Sequence, residues 1–245
     1  MSSDPRIPFL FHAEGHAFSG QFRRPVCVSI PAQASTSLPT IGGTAHSRVD
    51  KFDVPRLVSF TKGETHVSGS QQDKDTFTTQ VTTTIEGLRI LDFLTADRIV
   101  ARLTSEHKRD QKEGHILALG STFDNLRLGG HQVKVTLRHE LFLEKKTFKA
   151  LHEQVTKEAK SEKIPGVDYG ALLCSLAKTI ETDLPGVEIK GNVLRVPHFG
   201  FIAIAEVFAE PGTRTLTMLR FALGSPDDGS GTGGEVRTNG QPPPP

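Results

Sequence analysis

Two stretches of this chain are near-copies of each other: residues 84–91 read T-I-E-G-L-R-I-L, and residues 122–129 read T-F-D-N-L-R-L-G. Each has a Thr, an apolar residue, an acid and a small turn-forming residue, followed by Leu-Arg and another apolar residue. Each also precedes a strand-like segment, I-V-A-R-L-T at 99–104 and V-K-V-T-L-R at 133–138. The repeat therefore predicts a turn-plus-strand unit that is used twice.

The strand that follows the second copy alternates between apolar and polar residues. Val133, Val135 and Leu137 fall on one face, whereas Lys134 and Thr136 fall on the other. Such alternation is typical of an antiparallel sheet with one face on the core and the other in water. We therefore expect a mainly β protein in which repeated antiparallel turn-plus-strand units form a sandwich or a solenoid-like sheet.

The composition is that of a folded chain with a substantial core. Of the 245 residues, 36% are hydrophobic and 23% are charged, which argues against global disorder. The net charge is only +1, and nucleic-acid binding usually requires a basic surplus, so we expect no nucleic-acid partner. We expect one β-rich domain over residues 1–223, with the internal repeat at 84–104 and 122–138 and a helical insertion at 145–163.

The apolar period changes after the repeat. Phe148, Leu151 and Val155 recur at helical spacing, which predicts one helix near residues 145–160. The apolar pattern of residues 171–180 fits a helix and a buried strand about equally well, and the choice stays open at this point.

Several polar segments predict turns, loops or flexible chain. Residues 61–75 and 107–114 predict loops, and Gly191-Asn192 between two alternating runs predicts a hairpin. Residues 224–245, which are rich in Gly and end in four prolines, predict a flexible tail.

The sequence contains no window that approaches the roughly 20 apolar residues of a membrane span, so we expect none. The N-terminal residues lack a basic segment followed by a long apolar one, as a signal peptide would have. A cytoplasmic location is the default expectation, and secretion stays open. Whether Cys27 and Cys174 form a disulfide also stays open, because spacing along the chain does not give their separation in space.

His12, Glu14 and His16 are the candidate metal ligands. On a strand these three side chains share one face, and imidazole with carboxylate suits a divalent transition metal. The remaining histidines are scattered along the sequence, and no nucleophile can be paired with a base. We therefore assign no catalytic residue and expect no cofactor.

The repeat region resembles a known family. The segment 84–91 followed by T-A-D-R-I-V-A-R-L, and G-S-T-F-D-N-L-R-L-G-G at 120–130, are similar to the repeating core of the bacterial choice-of-anchor P proteins. Those proteins are uncharacterised, β-rich and mainly secreted. The resemblance covers roughly residues 82–137 and implies a β fold and a bacterial context, but no activity.

The leading interpretation is a non-enzymatic structural or binding protein that acts through sheet surfaces or self-association. Exposed strand edges must be paired, covered or closed, which is compatible with a homo-oligomer. One alternative is a metal-dependent or other hydrolase whose site is assembled from distant loops. The other is a carbohydrate-binding module, against which the absence of Trp and the single Tyr count.

Overall fold

The computed structural model describes residues 9–24, 26–111, 113–162, 172–224 and 228–241. Within these ranges the chain forms two antiparallel sheets of nine strands each, together with two helices. The sheets lie face to face around one hydrophobic core. The predicted mainly β, antiparallel architecture is confirmed, and of the two arrangements considered the structure has the sandwich.

The elements follow one another along the chain in this order: β1 (Leu10–Phe22), β2 (Val28–Gln33), β3 (Thr36–Ser37), β4 (Gly43–Val54), β5 (Val58–Gln71), β6 (Thr76–Ile90), β7 (Leu94–Lys108), β8 (His115–Leu117), β9 (Thr122–Asp124), β10 (Arg127–Leu128), β11 (His131–Leu137), α1 (Glu140–Glu144), α2 (Phe148–Glu162), β12 (Leu172–Ser175), β13 (Ala177–Thr182), β14 (Glu188–Lys190), β15 (Val193–Val196), β16 (Gly200–Glu210), β17 (Thr213–Leu223) and β18 (Gly229–Gln241).

We call the two layers sheet 1 and sheet 2. Sheet 1 has the order β14-β15-β16-β17-β18-β1-β2, and β12 and β3 pair with β16 and β1. Sheet 2 has the order β13-β11-β10-β7-β6-β5-β4, and β8 and β9 pair with β7. Buried and more exposed residues alternate along β5 and most of β6, as expected for strands with one face on the core and one in water.

The two copies of the sequence repeat lie on opposite edges of β7. Thr84 in β6 and Thr122 in β9 both pair with Val100. The register then continues in step, since Glu86 and Asp124 both lie opposite Arg98. The first copy runs on within β6 where the sequence suggested a turn, whereas the second is split between β9 and β10.

A positive φ occurs at the same position of each copy. It is +65° at Gly87 and +52° at Asn125. Glycine and asparagine are residues that adopt this left-handed conformation at low cost. The small residue that the two copies share therefore marks a common irregularity of the backbone rather than a common chemical group.

The prediction of a flexible tail from residue 224 is wrong over Gly229–Gln241. These residues form β18, which lies between β1 and β17 and pairs with both. Residues 242–245 lie outside the described ranges. The glycines that suggested flexibility are required by packing: a Cβ atom on Gly231 would lie 2.7 Å from the carbonyl oxygen of Ser19 and 2.8 Å from the ring of Phe221.

The predicted helix is confirmed as α2, Phe148–Glu162, and residue 163 lies outside the described ranges. The short helix α1 was not predicted. Within the ambiguous segment 171–180, residue 171 lies outside the described ranges and the rest is mainly strand. β12 pairs in sheet 1 and β13 in sheet 2, and the buried Leu176 lies between the two strands. Over the described ranges, neither helix is both long enough and apolar enough to cross a membrane.

One carboxylate joins α2 to sheet 1. Glu113 Oε1 accepts hydrogen bonds from the backbone N–H of Phe148 at 2.7 Å, from that of Gly212 at 3.4 Å and from Arg214 Nη2 at 3.3 Å. The side chain of Arg214 is only 1% exposed, so a charge partner is needed to offset its desolvation. The ion pair between the buried Arg214 and the partly buried Glu113 therefore joins the loop at residue 113, the start of α2 and the β16–β17 turn.

A substitution within β18 tests its central position. Gly231→Ala should lower the free energy of unfolding by about 1–3 kcal/mol, because the added methyl group overpacks a closed site. Gly233→Ala is the matched control, since its Cβ would meet side-chain atoms only at an ordinary 3.5 Å or more. Urea denaturation of both variants measures the difference in their free energies of unfolding. Equal values would contradict the close packing of β18 between β1 and β17.

Candidate metal centre on the outer face of sheet 2

The outer face of sheet 2 carries a row of alternating charges across five strands. Consecutive members of the row are directly opposite each other in register: Asp50 on β4, Lys62 on β5, Glu86 on β6, Arg98 on β7 and Asp124 on β9. Opposite charges in such positions stabilise the pairing of the strands, whereas like charges would oppose it. The row shows that the register places complementary side chains together on the wet face.

A cluster of two histidines and a glutamate lies beside this row. His46 on β4 is directly opposite His66 on β5, and their rings stack with centroids 4.0 Å apart. The Nε2 atoms of both histidines lie 2.9 Å from the same atom, Glu64 Oε1. We call these three residues the His-Glu-His cluster.

The glutamate of the cluster is held as a carboxylate. A hydrogen bond from Lys62, with smaller contributions from the charge of Lys62 and from both histidines, outweighs partial burial and lowers the pKa of Glu64 to about 2. Arg48 lies opposite Glu64 in register, but its guanidinium donates to both carboxylate oxygens of Asp50, at 2.9–3.0 Å. The histidines and Lys62 are therefore the side chains that contact Glu64.

The cluster offers two imidazole nitrogens and one carboxylate oxygen, all within 4.8 Å of one another. Nitrogen and oxygen donors of this kind bind zinc and other divalent transition metals, and three protein ligands leave a further position open. The side chains of His46 and His66 are 45% and 58% exposed, so an ion can reach them from solvent. The arrangement fits a surface metal centre.

The predicted metal ligands His12, Glu14 and His16 share one face of β1, as expected, but β1 belongs to sheet 1 rather than to sheet 2. His12 Nε2 lies 3.7 Å from Glu14 Oε1. His16 Nε2 instead contacts Ser19 Oγ at 3.1 Å and Thr232 Oγ1 at 3.2 Å, and burial lowers its pKa. Of the described residues, the group whose three ligand atoms come within 4.8 Å is the His-Glu-His cluster, not this trio.

The sequence contained one usable signal for the cluster. Glu64 and His66 are two residues apart, so they share a face if the segment is a strand. Predicting a loop over 61–75 removed that signal, whereas the structure places residues up to Gln71 in β5. His46 joins them only through the register of β4 on β5.

The outer face of sheet 1 has a polar depression of its own. It is lined by side chains that include Glu14, His16, Thr215, Glu235 and Arg237. Arg237 Nη1 is 3.8 Å from Glu14, and Thr217 Oγ1 donates to Glu235 at 3.2 Å. The depression is rich in hydrogen-bonding groups.

The two cysteines are both free in the structure, so the disulfide that the sequence left open is not formed. Cys27 is exposed, and burial raises the pKa of Cys174 to about 12. A thiol with so high a pKa stays protonated, and the thiolate is the nucleophilic form. Cys174 is therefore a packing residue.

Together, the fold and this surface define a two-sheet antiparallel β-sandwich with a candidate metal centre on one outer face. The model of a domain of unknown function, DUF8256, matches residues 9–168 and 149–210, which together make up most of the chain. The protein belongs to this family. No curated protein and no solved structure matches the chain.

His107 generates a prediction about pH. It was expected in an exposed loop, but it lies buried in β7. Burial lowers the pKa of His107 below its ordinary value of 6.5 and outweighs a backbone hydrogen bond at Gln111 that raises it, while the charge of His115 adds to the lowering. The unfolded chain therefore binds a proton at this histidine more readily than the folded chain does. The contribution of neutral His107 to the free energy of unfolding is fully present above pH 6.5 and decreases as the pH falls below that value.

His107→Phe should remove this part of the pH dependence, since the neighbouring ring of Phe9 favours an apolar partner. Chemical denaturation of both proteins between pH 8 and pH 5 measures the slopes. The half-exposed His131, replaced in the same way, serves as the control. Parallel curves for His107→Phe and the unmodified protein would show that this histidine is not the titrating group.

Proposed function

We propose that this protein is a non-enzymatic binding protein that acts through the outer faces of its sheets and holds a divalent transition-metal ion at His46, Glu64 and His66. The observation that carries the proposal is the approach of both imidazole Nε2 atoms to one oxygen of Glu64, at 2.9 Å each. The low pKa of Glu64 supports it, because the ligand must be ionised to bind the metal.

The open surroundings of the cluster favour binding over hydrolysis. Two of the three side chains are about half exposed, on the edge strand of a sheet and its neighbour. A hydrolytic metal site acts in a shaped cavity from which water is largely excluded. The hydrolase reading therefore has less support, whether its site is this cluster or the trio His12, Glu14 and His16. The relationship to choice-of-anchor P proteins, with its bacterial context, stays a prediction.

Zinc titration tests the metal site. Full-length protein treated with chelator should bind Zn²⁺ saturably in calorimetry. His46→Ala and His66→Ala should each weaken binding by more than about 100-fold, because mutation of a residue that only hydrogen-bonds to a metal ligand already lowers metal affinity by about 10–100-fold. Glu64→Gln should weaken it too, because the charge is lost while the shape is kept.

His131→Ala is the matched control. His131 is another partly exposed histidine beside a carboxylate, 3.1 Å from Asp183, but it lacks a second imidazole. The His131→Ala variant should bind zinc as the unmodified protein does. If instead His12→Ala or His16→Ala abolishes binding, the metal lies on sheet 1 and the assignment to the His-Glu-His cluster is wrong.

A second candidate function, carbohydrate binding, has support from sheet 1. Phe208 is 41% exposed and lies opposite Thr215, which lines the polar depression. An exposed aromatic ring next to hydroxyl, carboxylate and guanidinium groups suits a hydroxylated ligand.

Thermal denaturation with a panel of soluble oligosaccharides tests this candidate. A bound glycan should raise the Tm, and Phe208→Ala should remove the rise. Phe201→Ala is the control, because Phe201 is similarly exposed on the same strand but pairs with Arg195 and Ala222. A panel without any shift in Tm would remove this candidate.

A further inference from the structure

β4 is an open sheet edge of unusual length. It has twelve residues and, among the described strands, pairs with β5 alone. At the other ends of the two strand orders lie β2, β13 and β14, which have six, six and three residues. A long edge presents a row of unpaired backbone N–H and C=O groups that can accept another strand.

The core is incompletely covered along this edge. In one row across sheet 2, Val81 is fully buried and Val67 is 2% exposed, whereas Ala45 on β4 is only partly buried. Val49, further along β4, is partly buried too. Ile41, just before β4, is 91% exposed. Apolar surface therefore lies beside the unpaired backbone groups.

We propose that β4 pairs antiparallel with β4 of a second copy of this chain about a two-fold axis at His46, and that the two copies share one metal ion there. The metal part of this inference rests on the proposed function, whereas the strand pairing does not. A strand edge and the same edge of a second copy form a closed, self-complementary contact.

The position of the axis follows from register. Gly43 has a φ of +105° and Lys51 a φ of +53°, and both interrupt the regular strand, so the regular part of β4 is residues 44–50. An axis at His46 pairs residues 44–48 of one copy with residues 48–44 of the other and leaves Gly43 and Lys51 outside this regular ladder. It also places Thr44 opposite Arg48 of the second copy.

Neighbouring positions of the axis are less favourable. An axis at Arg48 would set two arginines directly opposite each other, and like charges in that position oppose pairing. An axis at Ser47 would set Arg48 of one copy opposite His46 of the other, and the charge of the arginine would then repel a metal cation at His46. An axis at Val49 would bring Lys51, with its left-handed backbone, into the ladder.

The shared ion follows from the spacing of opposed side chains. Residues directly opposite in an antiparallel pair have Cβ atoms about 4.5–5.5 Å apart, so the two His46 side chains become neighbours. Zinc usually takes four ligands, and the His-Glu-His cluster of one copy supplies three. The fourth is His46 of the second copy. Because each His46 binds one ion at a time, the dimer holds one tightly bound zinc.

Charge changes at Thr44, which lies beside His46 on the same face of β4, test the pairing without removing a ligand. Thr44 is exposed and lies opposite Ser68 in its own sheet. Thr44→Arg should weaken the dimer about tenfold through repulsion from Arg48 of the second copy, and Thr44→Asp should strengthen it by a similar factor. Analytical ultracentrifugation of the full-length chain, with zinc chloride and separately with EDTA, measures both dissociation constants.

The outcomes separate the two proposals. Opposite shifts of the two Thr44 variants in EDTA support the strand pairing even if zinc does not bind. A chain that binds zinc but stays monomeric at all concentrations overturns the pairing and leaves the metal site in place, and so do equal dissociation constants for the two variants. One zinc per dimer, changing to one per chain in Thr44→Arg, supports the shared ion. One zinc per chain in both proteins overturns it.

Discussion

Hydrogen bonding along both edges of β7 sets the arrangement of sheet 2. The two sequence copies pair with this strand in the same register, so that Glu86 and Asp124 flank Arg98. Because side chains alternate with a period of two, a slip by one residue would turn the charged row inward and the core outward. The register of β5 and β4 follows from that of β6, and with it the meeting of His46, Glu64 and His66.

Close approach of backbone to side chains is the second constraint, and it acts on sheet 1. β18 lies between β1 and β17, and Ser19 and Phe221 approach Gly231 so closely that a methyl group would not fit there. Val236 on the same strand is fully buried. A Gly-rich composition, which usually indicates flexible chain, is here what lets a central strand fit beneath Phe221. The metal centre and the open edge of β4 both depend on a sandwich that this strand completes.

Sequence patterns predicted the elements with a clear period. The alternation around Val133 and Val135 predicted strands, and the helical spacing of Phe148, Leu151 and Val155 predicted α2. The prediction failed where composition opposed the tertiary structure, in β18 and in the polar strand β5. The candidate site could not be predicted, because His46 and His66 are brought together only by the register of two strands. His12, Glu14 and His16 do share one face of a strand, but periodicity does not show whether their ligand atoms lie close enough together to bind one ion.

The sequence by itself therefore determined the mainly β class, the helix after the repeat and the face on which the alternating strand β11 places its side chains. These features depend on local periodicity, which a single segment carries. The tertiary structure alone decided that the repeat flanks β7, that β18 is central and that the three ligands of the His-Glu-His cluster meet. Each of these depends on which strand pairs with which, and that choice is made by packing between residues far apart in the chain.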